Sequence, residues 1–375
     1  MCVYLDNSAT TKPCDAAVKK ALQMCTESFG NPSSLHMGGF SAKKELDNAR
    51  TVVSKFLSCS ENEIIFTPSG TIANFTAIMG TARTKKREGK RIVTTLLEHP
   101  SILKNFELLG EQGFEPVYLK PDKYGKIDLE ELSNAIDENT ILVSVMAVNN
   151  EVGSIQDIDK IKGIIRAKKS KAYFHCDAVQ AFGKISLKPK KMGVDLMSMS
   201  AHKIHGLKGA GALFVNSAIR LMPAIAGGGQ ENGLVSGTEA MPAICAFGAA
   251  VNDIGNVEKS FNSVSEIKNY FIEKITALEK VYVNSPENSL PYIINISVEG
   301  VPSQVMLNSL SSMGIYVSAG SACAKGHRSD ALTAMGIEPR RIDSAIRISL
   351  SKTTTKNDVD LLYNGIVETI KRVRR

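Results

Sequence analysis

Between residues 91 and 215 the chain alternates short apolar runs with stretches of helical period. "RIVTTLLEH" reads as a buried strand and "PSILKNFELLGEQG" as the helix after it. "FEPVYLK" is the next strand, and "DLEELSNAI" a helix with Asp128 at its N-cap and Glu131 at the capping-box position. "TILVSVMAV", "DIDKIKGIIRAKK" and "KAYFHCD" continue as strand, helix and strand. "VDLMSMS" and "GALFV" are two more strands, too close together for a long helix between them. Strands that are apolar throughout rather than alternating are covered on both faces. The pattern therefore predicts an α/β fold on a mostly parallel sheet flanked by helices.

The rhythm changes near residue 240. A helical region of about 240–278 leads into the strands "KVYVNS" and "PYIINISVEG", a helix from Pro302, and "GIYVSAG". A loop, a short helix, the strand "AIRISLS" and a closing helix follow. Strands in such close succession predict a smaller α+β C-terminal domain. The expected division is a large domain over 15–260, and a small one made of 1–14 with 261–375.

Composition alters this picture little. At 43% hydrophobic and 22% charged residues, the 375-residue chain reads as an ordinary globular protein. No apolar run approaches the roughly 18 residues of a membrane helix. The start, "MCVYLDNSATT", has no secretory pattern, which predicts a cytoplasmic location. The net charge of +7 is carried partly by "RTKKREGKR" and the tail "KRVRR". Stacking aromatics are not interleaved with them, so they read as solvated faces rather than a nucleic-acid surface. Seven cysteines, an odd number without a C-x-x-C pair, fit neither a disulfide framework nor a zinc site.

Candidate chemistry sits at the carboxyl ends of the strands, where open α/β sheets bind ligands. Ser69-Gly70-Thr71 opens a helix expected from about Ile72, which makes either an anion site or a plain N-cap. His99 could stack on a ring or shuttle a proton, or serve as a hydrogen-bonded structural histidine. Asn149, Asn150 and Glu151 are either loop punctuation or a ligand-facing edge. Asp177, with Gln180 three residues on, ends a buried strand. A carboxylate there needs a positive partner, such as a ligand pyridinium nitrogen. Cys176 faces the opposite way and reads as packing. Ser200, His202 and Lys203 precede a glycine-rich turn, and Lys203 could form a Schiff base with a carbonyl. A phosphate cradle, an aspartate for a pyridinium nitrogen, a stacking histidine and a Schiff-base lysine together are what pyridoxal phosphate requires.

Ten ordered segments then carry a resemblance. They include "YLDNSATT" (4–11), "FTPSGT" (66–71), "EHPSI" (98–102), "VNNEVGSIQDI" (148–158), "HCDAVQ" (175–180), "SAHKIHGLKGAG" (200–211), "SAGSACAKGH" (318–327) and "AIRISLS" (345–351). The chain resembles the cysteine desulfurases, class V aminotransferase-like enzymes of the fold-type I pyridoxal-phosphate group. The resemblance implies pyridoxal 5'-phosphate bound by Lys203, with Asp177 at the ring nitrogen, Gln180 at the ring hydroxyl and His99 stacked on the ring, and either Lys203 or His99 as the base that removes the substrate α-proton. It implies that Gly70, Thr71, Ser200 and His202 hold the phosphate and that Asn150 lines the substrate side. Arg347 would take the carboxylate of L-cysteine in a bidentate contact, the geometry guanidinium suits best. Cys323, in a loop of about 318–330 whose small residues predict mobility, would accept the sulfur as a persulfide and pass it to an acceptor protein. That acceptor would be an iron–sulfur scaffold, a tRNA-thiolation enzyme or a thio-cofactor pathway protein. Lys325 and His327 would help hold the thiolate. Thr238 would reach the phosphate of a neighbouring subunit, implying a homodimer.

The chain departs from the family pattern at several places. A usual glutamate is replaced by Ile72, two usual arginines near the dimer-facing loop by Asn232 and Val235, the proline of a usual Gly-Pro-Lys-Gly by Leu207, and a common Ser/Thr-Ser pair after the cysteine by Ala324-Lys325. None removes a catalytic group. Two further readings are another class V enzyme, such as a selenocysteine lyase or β-lyase, and an inactive pyridoxal-phosphate-binding partner.

Overall fold

The computed structural model describes residues 2–319 and 328–374. Its strands are β1 (Val3–Tyr4), β2 (Ile64–Thr67), β3 (Arg91–Thr95), β4 (Glu115–Leu119), β5 (Thr140–Ser144), β6 (Tyr173–Asp177), β7 (Leu196–Ser200), β8 (Gly211–Val215), β9 (Val281–Val283), β10 (Ile293–Val298), β11 (Ile315–Tyr316) and β12 (Ala345–Ser349). Seven of them form one sheet in the order β2-β8-β7-β6-β5-β3-β4. The pairs β3/β4, β3/β5, β5/β6 and β6/β7 are parallel, while β8 runs antiparallel to both β7 and β2. Six strands thus point one way and β8 alone is reversed. A parallel neighbour to β7 would need a crossover helix, and the chain between them is too short for one. Strands β2, β5 and β7 are buried at every position, as their unbroken apolar runs predict.

The reversed strand begins at the level of the site. Gly211 stands opposite both Thr67 and Ser200. A Cβ there would lie 2.6 Å from the Ser69 carbonyl carbon, 2.7 Å from the Met199 oxygen and 2.9 Å from the Gly70 nitrogen. All three are backbone atoms, so only glycine fits. The helix after β2 spans Gly70–Lys85, starting two residues before the expected Ile72, because Ser69 caps it. The Ser69 Oγ accepts from the Ile72 N–H at 3.2 Å.

The helical region expected over 240–278 is two helices, Met241–Asp253 and Val257–Thr276. Gly255, at φ +72°, ends the first, and the Asn256 Oδ1 caps the second by accepting from the Lys259 N–H at 2.8 Å. Beyond them β12, β10 and β9 form a three-stranded antiparallel sheet. The first residues of the chain lie against this part: β1 pairs with β11, and Asp6 bridges to Ser349 in β12. No helix of the described residues is long and apolar enough to cross a membrane.

Candidate active site

At the carboxyl ends of the parallel strands a cavity of about 300 Å³ opens. Ten of the twelve residues expected from the sequence line it: Gly70 and Thr71 after β2, His99 after β3, Asn150 after β5, Asp177 and Gln180 at the end of β6, Ser200, His202 and Lys203 at the end of β7, and Arg347 from β12. Thr238 is not among them. It is exposed and borders a separate, smaller cavity with Pro68 and Gly209. Cys323, with Lys325 and His327, lies outside the described residues.

Asp177 is 4% exposed. Its Oδ1 accepts from the Val179 N–H at 2.9 Å and its Oδ2 from the Asn74 Nδ2 at 2.8 Å. Among the described residues no lysine or arginine pairs with it, so a buried carboxylate faces the cavity with two neutral donors only. The Ser200 Oγ, also buried on the cavity wall, has no hydrogen-bond partner. A Cβ at Gly70 would lie 2.9 Å from the Val179 Cγ2, so the helix start comes close to the wall only because position 70 is bare. A carboxylate lacking a cation at one end and an unpaired hydroxyl beside a capped helix start at the other match the pyridine nitrogen and phosphate of pyridoxal phosphate. The residues present therefore fit that group.

His99 is the N-cap of the helix Pro100–Glu111. Its Nδ1 accepts from the Ser101 N–H at 3.1 Å and lies 2.8 Å from the Ser101 Oγ. With Nδ1 an acceptor, the neutral ring carries its proton on Nε2. Burial pulls the His99 pKa below its usual range, against the pull of Asp177 and with a further push from Lys203. His202 is lowered to about 4 by burial, then by Lys203 and Lys208, and its Nδ1 lies 3.1 Å from the Thr10 Oγ1. The carboxyl of Glu98, buried beneath the site, is pushed well above its usual range, chiefly by desolvation.

The Lys203 Nζ donates to the carbonyls of Ser8 at 2.5 Å and Ala9 at 2.8 Å. Arg347 is 1% exposed. Its Nη2 donates to the Asp6 Oδ1 at 2.9 Å and its Nη1 to the Asn150 carbonyl at 3.1 Å, while its buried Nε has no partner among the described residues. Guanidinium has five donors, so this pairing leaves room for a carboxylate.

Sequence reasoning left several wall residues without a role: Ser8, Ala9, Asn74 and Ser101. "YLDNSATT" was a matching segment, but it acts through two backbone carbonyls, which no side chain announces. Asn74 had a usable signal, a polar residue one turn into an otherwise apolar helix. The departures also have local reasons. Glu231 pairs with Arg50 at 2.7 and 2.8 Å and accepts from the Phe66 N–H at 2.7 Å, tying the 231–238 loop to β2. Asn232 sits at φ +56°, where asparagine is favoured, and Val235 packs into an apolar cluster with Ile65 and Leu213. The buried Cys176 thiol is pushed well above its usual range, and the Cys59 and Cys245 thiols up to about 12, in each case chiefly by burial.

Comparison with known proteins matches residues 3–362 to the aminotransferase class-V family model. A cysteine desulfurase of Methanosarcina thermophila is 38% identical over 99% of this chain and 93% of its own length. The mitochondrial cysteine desulfurase of Saccharomyces cerevisiae is 37% identical over 99% of this chain and 76% of its own. A solved NifS-like protein superposes with a TM-score of 0.94 at 35% identity, covering 99% of this chain and all of that one.

Proposed function

The chain belongs to the aminotransferase class-V family, and on that premise we propose the part each cavity residue plays in removing sulfur from L-cysteine. The protein is a pyridoxal-phosphate-dependent cysteine desulfurase. It converts L-cysteine and a protein thiol into L-alanine and a protein persulfide: the substrate C–S bond breaks, an S–S bond forms, and the thiol protons balance on the products.

When bound, the cofactor supplies an electron sink for the α-carbon of the substrate. Lys203 would hold it through its ε-amine and, as a free amine, would be the base for the α-proton of the substrate. Asp177 would pair with the ring nitrogen, and Asn74 and the Val179 N–H hold its carboxylate in place by donating to Oδ2 and Oδ1. Ser200, His202 and Thr71 at the helix start would hold the phosphate. His99 would cover the ring and, with Nδ1 an acceptor, would offer Nε2–H as a donor rather than act as the α-proton base. Arg347 orients the substrate by its carboxylate, beside Asn150. Cys323 is the thiol that takes the sulfur. The observation that carries this reading is the convergence of Lys203 and Asp177 on one cavity, with Arg347 on its wall.

The test is to incubate the protein with L-cysteine and a reductant and measure sulfide and alanine. Wild type produces both, and Cys323→Ala releases neither at more than background. A wild type without sulfide production defeats the desulfurase reading. Full activity in Cys323→Ala replaces it with a lyase.

Three finer points belong to the same reading. The protein works as a homodimer, with Thr238 completing the phosphate site of its partner. The exposed apolar side chains Phe29, Leu35, Met37 and Phe40, close together in the chain, support this. The chain divides near residue 260 into a large and a small domain. The setting is cytoplasmic, which the six free cysteines of the described residues favour, and the acceptor is a protein of iron–sulfur assembly or thiolation.

A further inference from the structure

Lys184 lies behind the cofactor cavity and is 8% exposed. It stands on the tight turn after β6, where Ala178 accepts from the N–H groups of Ala181 and Phe182. Gly183 makes the turn at φ +76°, packed against Ile204 and Ile254. The Lys184 Nζ donates to the Gln180 Oε1 at 3.2 Å. The Gln180 Nε2 donates in turn to the Ser8 carbonyl at 3.0 Å, which also accepts from the Lys203 Nζ. Lys184 and Lys203 both border a second, smaller cavity on the far side of the site.

An ammonium has donors only. Whatever atom of Gln180 faces Lys184 must therefore be its carbonyl oxygen, which turns the amide NH2 toward Ser8 and the cofactor cavity. We propose that Lys184 is a positioning residue for the cofactor: it locks the Gln180 amide with its NH2 toward the oxygen of the cofactor ring, and it sets a second cation behind Lys203. With the amide reversed, the Gln180 carbonyl would face that oxygen and the Ser8 carbonyl, three acceptors without a proton between them.

The charges around Lys184 agree with a functional rather than a stabilising role. It faces Lys203, Arg347 and the Tyr292 ring, whose centre is 5.9 Å away, and it acts in turn on His202 and His205. Among the described residues no carboxylate forms an ion pair with it. Burial first, then Lys203 and Arg347, pull its pKa down to about 7.

This inference rests on the pyridoxal-phosphate reading, and the experiment separates the two. Apoprotein is titrated with pyridoxal phosphate, and the absorbance of the bound cofactor is followed against pH. Wild type that binds no cofactor defeats the underlying reading. If wild type binds, Lys184→Met is expected to bind about tenfold more weakly, the worth of one hydrogen bond to a charged group. The pH midpoint of its absorbance moves up, the direction that loss of neighbouring positive charge requires. Lys184→Arg recovers most of both effects. In the double variant Lys184→Met with Gln180→Leu, the lysine change adds nothing to the cofactor affinity lost by Gln180→Leu alone. Unchanged affinity and midpoint in a folded Lys184→Met, or simple additivity with Gln180→Leu, overturns the proposal. Should Lys184→Met not fold, Lys184→Gln, which keeps a donor toward Gln180 but not the charge, carries the test: it is expected to retain most of the cofactor affinity and to raise the midpoint, and a wild-type midpoint in it overturns the proposal.

Discussion

The Asn74 Nδ2 stands 2.8 Å from the Asp177 Oδ2, joining a helix residue to a strand-end residue 103 positions later. Asn74 also donates to the Ser101 Oγ at 2.9 Å, beside His99. One amide thus braces the Asp177 carboxylate and, through Ser101, the His99 side chain across the cavity. Asn74→Leu removes the donor and is expected to weaken cofactor binding about tenfold, since a hydrogen bond to a charged group is worth roughly 1.5–3 kcal/mol. Asn74→Asp sets two carboxylates in contact and abolishes binding at neutral pH. Titration of apoprotein with the cofactor measures both, and wild-type affinity in either variant refutes the assignment.

Arg347 offers a different split. Arg347→Lys keeps the charge but loses the planar fork. The KM for L-cysteine is expected to rise about tenfold or more while kcat falls less, because the lost contact is made before and during the reaction alike. Steady-state alanine formation reads both constants. A large fall in kcat at constant KM would point away from carboxylate binding.

Stability should fall on acidification for a stated reason. His175 is buried between the Ser144 Oγ at 2.8 Å and the Ser198 Oγ at 2.9 Å, and burial lowers its pKa to about 3. Unfolded, it takes a proton below about 6.5. The unfolded state therefore binds more protons between about 6.5 and 3, and folding loses up to about 1.4 kcal/mol per pH unit across that window. His202, lowered to about 4, acts in the same direction. Urea unfolding at several pH values should show the slope, and His175→Gln should make it shallower. An equal slope in the variant would put the acid sensitivity elsewhere.

Association is tested at the apolar patch. Leu35 is fully exposed and Phe29 is 77% exposed in the single chain, far from what an isolated surface favours. Sedimentation should find a wild-type dimer. Leu35→Asp with Phe40→Asp should raise its dissociation constant about a hundredfold, in line with loss of central contacts. A monomeric, active wild type would remove the role given to Thr238.

Much of this was legible because a parallel sheet announces its strand ends. β5, β6 and β7 are apolar runs that stop at polar residues, and Asp177 and Lys203 are conspicuous there. What stayed hidden acts across long sequence distances or through the backbone. Nothing near Asn74 points to Asp177, and nothing in "NSATT" says that two carbonyls will receive Lys203. Lys184 looked like one more lysine in a basic chain; only its burial against Gln180 separates it. The break at Gly255 was missed because helical period persists on both sides of it. Thr238 was legible only through resemblance, and the single chain leaves it outside the cavity.

Gly211 has a consequence for how such a protein can vary. The seam between the Ser69–Gly70 helix start and the strand end that leads to Lys203 is too narrow at this position for a Cβ. The spacing of these two segments is thereby written into the main chain and owes nothing to any rotamer. Side chains at the rim, such as Ile72, Asn232 and Val235, can change without moving the main chain. A single methyl at 211 would instead press backbone against backbone, so this silent residue cannot drift as they do.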